Sequence, residues 1–97
     1  MRIEEHTRQS LKLFWTVLIK THRYGTAEKV LHDYLKEHPD CFDAWFYLAE
    51  IEALRNRGDA AREYLQKALD NGFTNMELIE ENPVLSQLYH SMHPAIQ

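Results

Sequence analysis

Leu11 and Trp45, Ala27 and Ala61, and Leu31 and Leu65 share one offset: 45 − 11, 61 − 27 and 65 − 31 all equal 34. An internal offset of that size constrains the fold more than composition does. Periods of about 20–50 residues mark units that cannot bury an apolar face alone and must stack on a neighbour. A chain of 97 residues fits one domain, with room for two such units and a remainder.

Breakers divide the rest into helices. Gly25, Pro39, Gly58, Gly72, Pro83 and Pro94 separate stretches whose apolar residues recur with helical spacing. The pattern predicts a first helix over about Glu4 to His22 and a second from Gly25 to near Glu37. A third is predicted from a cap at Asp40 to about Arg57, and a fourth from a cap at Asp59 to the stop at Gly72. Thr74 with Glu77 has the spacing of a capping box for a short fifth helix. Asn82 followed by Pro83 reads as the start of a sixth, ending near Ser91. No useful length alternates with period two, and three Gly and three Pro are too few for the turns of a sandwich or barrel. The expectation is an all-α fold of about six helices.

Within the repeating stretch, Trp45, Leu48, Ala49, Ala61, Leu65 and Ala68 run large, large, small, small, large, small. This pattern resembles the signature of the tetratricopeptide repeat family. Small residues on facing helices let the backbones approach closely, and large ones fill the wedge above. The resemblance covers about Leu11 to Phe73. It implies a right-handed solenoid of antiparallel helical hairpins: repeat one over about 8–39, repeat two over about 42–73, and capping helices over 74–92, all in one domain of residues 1–97. Three positions depart from the pattern. Trp15 stands where repeat one wants a small residue, Glu52 stands at a usually aromatic position, and Phe73 replaces a terminal proline. Sliding the first helix by one residue puts Thr16 at the small position and pairs Gly25 with Gly58; both registers stay open at this point.

The resemblance also implies where a partner would sit, because the first helix of each repeat lines a concave surface. The family's ligand-facing positions fall on Asp43, Phe46, Glu50, Ala53 and Leu54 in repeat two. In repeat one they fall on Gln9, Lys12, Thr16, Ile19 and Lys20. The implied trough has an apolar floor flanked by two lysines and two carboxylates, suited to one face of an amphipathic helix or to a short extended peptide. Ten of the thirteen residues from Phe42 to Leu54 are apolar, which packing between two neighbours explains for Trp45, Leu48, Ala49 and Ile51. Phe46 and Leu54 point elsewhere on the wheel and are the predicted binding face. Lys12 matches one position of the family's carboxylate clamps. Thr16 and Tyr47 stand where those clamps need asparagine, so that function is not expected.

Other chemistry is poorly supplied. A net charge of −4 with scattered basic residues gives no phosphate-binding stripe, so no nucleic acid is expected. The apolar run Leu11 to Ile19 is too short to cross a bilayer and lacks the marks of a signal peptide. The single cysteine, Cys41, allows no internal disulfide and suits a reducing, cytoplasmic setting. His90 and His93 share a helical face, while His32, Asp33, His38 and Asp40 cluster in sequence, but zinc wants three or four convergent ligands. Cys41 with His38 falls in a helix-connecting turn with no identifiable oxyanion donors, and the adjacent Glu80 and Glu81 diverge by about 100° on a helix, so neither makes a catalytic pair. No phosphate loop or nucleophile elbow is present. The sequence therefore predicts a protein without cofactor or metal that binds a protein partner, as adaptor or scaffold. The alternatives are a small assembly or secretion chaperone cradling a client helix, whose size and shape this chain resembles, and a self-associating structural protein using Leu13, Phe14, Trp15 and Val17.

Overall fold

The computed structural model describes residues 3–92, with side chains from Gln9 onward. Six helices follow one another, and no strand occurs among the described residues: α1 (Ile3–Lys20), α2 (Tyr24–Glu37), α3 (Phe42–Leu54), α4 (Gly58–Asp70), α5 (Met76–Glu81) and α6 (Pro83–Met92). The chain is all-α, as the helical spacing predicts.

Backbone geometry settles the register of the repeat. His22 and Asn56 both adopt left-handed conformations, at φ 63° and 62°. Each is followed by an arginine whose N–H reaches back into the preceding helix, Arg23 to the Leu18 carbonyl and Arg57 to the Glu52 carbonyl, both at 2.8 Å. His22 and Asn56 donate to Ile19 and Ala53 at 3.0 and 3.1 Å, which completes the same helix-ending motif twice. Every member of the pair is 34 residues from its counterpart, so the unshifted register holds and Trp15 corresponds to Ala49. A third copy of the motif closes α4, where Phe73 donates to Ala68 at 2.9 Å and Gly72 sits at φ 107°. Only a residue without a Cβ takes that conformation freely.

These motifs end the helices earlier than side-chain signals suggest. α1 stops at Lys20 rather than His22, and α3 at Leu54 rather than Arg57, because the left-handed residue reverses the chain first. Several starts also differ. Cys41 rather than Asp40 stands at the cap of α3, and Arg57 rather than Asp59 at that of α4, neither with a side-chain bond. Asp59 lies in the first turn, where its charge complements the helix dipole. Asn75, not Thr74, caps α5, accepting from the Leu78 N–H at 3.3 Å. Asn82 caps α6 as expected; its Oδ1 accepts from the Val84 and Leu85 N–H groups at 3.0 and 3.2 Å.

The apolar character of α3 has a packing cause. Its side chains enter two clusters: Ala44, Leu48 and Ile51 join Trp15, Leu18, Ile19, Ala27, Leu31 and Leu35 of α1 and α2. Phe46, Ala49 and Ala53 join Ala61, Leu65, Ala68, Phe73, Ile79 and Leu85 from α4 onward. The helix is covered on two sides and so carries no single polar face. Trp15 is fully buried, edge-on to Tyr34 and Tyr47 with ring centroids 5.2 and 5.8 Å away. Its bulk fills the space that Ala49 leaves to a neighbouring backbone in the second repeat.

Candidate functional site

α1 and α3 lie side by side, and their C-terminal halves border an open cleft of ≈ 410 Å³. Thr16, Ile19 and Lys20 line it from α1, Glu50 and Leu54 from α3, His22 from the turn after α1, and Tyr24 from the start of α2. Five of the ten predicted partner-facing residues are thus brought together. Leu54 is the apolar member with most surface to offer, at 47% exposed. Ile19 is buried and forms the floor. The Thr16 hydroxyl donates to the Tyr47 hydroxyl at 3.2 Å, which fixes the wall behind it.

The other five do not join the cleft. Phe46 is 3% exposed and stacks on Phe73 with ring centroids 4.4 Å apart and planes 9° from parallel. Phe46 is therefore core, contrary to the prediction from its angular position, and Ala53 is buried in the same cluster. The cause is tertiary: the segment after α4 folds back, and Phe73, Ile79 and Leu85 fill that half of the trough. Asp43 is buried and pairs with Lys12 at 3.7 Å, so neither is a free charge. Gln9 is exposed near the start of α1.

His22 and Tyr24 were missed by sequence reasoning. The His22 ring nitrogen Nδ1 and the Tyr24 hydroxyl are 2.9 Å apart, and the Arg55 guanidinium lies over the Tyr24 ring at 5.8 Å. The available signal was positional. These residues sit where α1 passes into α2 inside repeat one, a junction that an assignment of concave positions to the first helix leaves out.

Charge in the cleft is carried by Lys20, exposed at its rim, and by Glu50, partly buried. Burial pushes the Glu50 carboxyl above its ordinary range; Lys20 pulls it down and the like charge of Glu81 pushes it up. A second charged group sits beside this one. Glu52 is buried and meets Arg57 at 3.5 Å and Arg55 at 3.9 Å, while Arg55 also reaches Glu28 at 3.2 Å. Burial raises the Glu52 carboxyl most, followed by its hydrogen bond with Glu28 and that residue's charge; Arg57 and Arg55 oppose the rise. Glu52 stands 34 residues after Leu18, so the second repeat replaces an apolar core position with an ion cluster.

No three His, Cys, Asp or Glu side chains converge among the described residues. His93, one of the two histidines singled out above, lies outside them. Cys41 is buried. No helix among the described residues is long and apolar enough to cross a membrane.

No curated protein and no solved structure matches the chain. The tetratricopeptide repeat family matches over residues 16–72, from the middle of α1 to Gly72. That span exceeds half the chain and takes in both repeating turns and the cleft residues from Thr16 to Leu54. A repeat of this kind is a protein-interaction architecture. The chain belongs to the tetratricopeptide repeat family.

Proposed function

We infer that this chain is a non-catalytic adaptor or scaffold module that holds a short segment of a protein partner in the cleft between α1 and α3. The observation that carries this reading is the open cleft itself, with Leu54 exposed in its wall beside Lys20 and Glu50. Leu54 and the ring of Tyr24 supply apolar contact, and affinity comes from their loss of water. Lys20 and Glu50 carry opposite charges on the two facing helices and set the orientation of the segment. Thr16 and Ile19 shape the floor. Phe46, Ala53, Asp43 and Lys12 act behind the site: the first two keep α3 seated on the C-terminal helices, and the ion pair ties α3 to α1. The segment is one face of a helix or an extended peptide with one or two apolar anchors.

A displayed library of helical and extended peptides, selected on the wild-type protein, tests the reading. Selected binders are expected to bind Leu54→Glu at least tenfold more weakly and to lose orientation preference on Lys20→Glu. Equal binding to Leu54→Glu, with helix content intact by circular dichroism, would remove the cleft from the account.

A further inference from the structure

The outward face of α1 is a second apolar surface, separate from the cleft. Leu13 is 66% exposed, Val17 50% and Phe14 47%, and among the described residues only Leu54 is a comparably exposed large apolar side chain. With Ser10 they stand at i, i+3, i+4 and i+7, one continuous stripe of a helix. Such a stripe in water marks an interaction surface.

What fits it is displayed one repeat further on. Advancing Ser10, Leu13, Phe14 and Val17 by 34 residues gives Ala44, Tyr47, Leu48 and Ile51. There the same face is closed. Ala44, Leu48 and Ile51 are fully buried in the cluster that α2 enters through Ala27, Leu31 and Leu35, and Tyr47 packs on Trp15. The paired turns at His22 and Asn56 make the offset structural as well as sequential. The exposed stripe on α1 is therefore continuous, one unit upstream, with the interface that α2 makes on α3.

We propose that this face docks an amphipathic helix of a partner polypeptide, seated as α2 is on α3. The helix presents a small residue and two leucines at i, i+4 and i+8, as Ala27, Leu31 and Leu35 do. It needs no carboxylate at the position of Glu28. Glu28 pairs with Arg55, whose counterpart is Thr21, just past the end of α1, and the Thr21 hydroxyl donates to the carbonyls of Val17 and Leu18 at 2.8 and 3.2 Å. A second copy of this chain is a poorer occupant. Its Ala27–Leu31–Leu35 face is already buried.

The chain's own α2 supplies a probe: a synthetic 14-residue peptide of residues 24–37, held helical by a lactam between Lys29 and Asp33. Those two side chains are 79% and 57% exposed, which keeps the bridge off the contact face. Titrated into isotope-labelled protein, the peptide is expected to shift amide signals centred on Leu13, Phe14 and Val17. The double variant Phe14→Asp, Val17→Asp is expected to bind at least tenfold more weakly, with helix content unchanged because both residues are exposed. No shift on α1 up to about millimolar peptide overturns the proposal. Shifts centred on Ala44 to Ile51 also overturn it, since they would report exchange with the resident α2. Peptide-free dimerisation through the same residues, seen by sedimentation, would assign the face to a second copy and overturn it as well.

Discussion

Glu52 shows how one residue can depart from a repeat and still be accommodated. Its counterpart Leu18 belongs to an apolar cluster, whereas Glu52 brings a carboxylate to a buried position and requires Arg55 and Arg57 to attend it. Its folded-state carboxyl titrates above the unfolded value, first because it is buried. Folding therefore favours the protonated form, and the associated stability is fully present below the unfolded value and lost as pH rises through the folded one. Glu50 has the same sign. From about pH 4 upward the wild-type protein is expected to lose stability that Glu52→Gln retains. Urea midpoints across that range check this, and parallel curves for the two proteins would contradict it. Glu52 as an oddity was legible in the sequence, because an acidic residue stood at an aromatic position. Its partners were not, since Glu28 comes from a different helix.

At the scale of elements, the sequence located all six helices but assigned several ends to the wrong atoms. Asp40, Asp59 and Thr74 have the chemistry of caps, yet the turns before α3 and α4 use no side-chain cap, and Asn75 takes the role expected of Thr74. For α4 the reason is that α3 ends in a backbone motif around the left-handed Asn56, which leaves little choice in where the next helix begins. Asn82 was read correctly because Pro83 fixes the first helical position. It also bridges two N–H groups, so Asn82→Ala is expected to cost about 1 kcal/mol, and Thr74→Ala close to nothing. Chemical denaturation of the two variants distinguishes them, and equal losses would be inconsistent with the caps described. The helical wheel likewise gave the exposure of Leu54 correctly and that of Phe46 wrongly. Position on α3 determines a direction, but only the return of the chain after α4 determines whether that direction reaches water.

At the scale of the molecule, α3 ties two clusters into one body. Leu31→Ala lies in the first and Phe73→Ala in the second, so each is expected to cost roughly 2–5 kcal/mol. Both are expected to lower the same single transition rather than splitting it, as circular dichroism and tryptophan fluorescence followed together would reveal. Two separated transitions in either variant would show that α3 does not couple the clusters. The filling of half the trough by Phe73 and the helices after it has a further consequence for how the protein works. Under the function proposed above, recognition is confined to a motif a few residues long, so a lone encounter is brief and carries little information. Discrimination among targets then comes from duplicated motifs or from simultaneous engagement at a second place, where tethering multiplies weak contacts into lasting attachment.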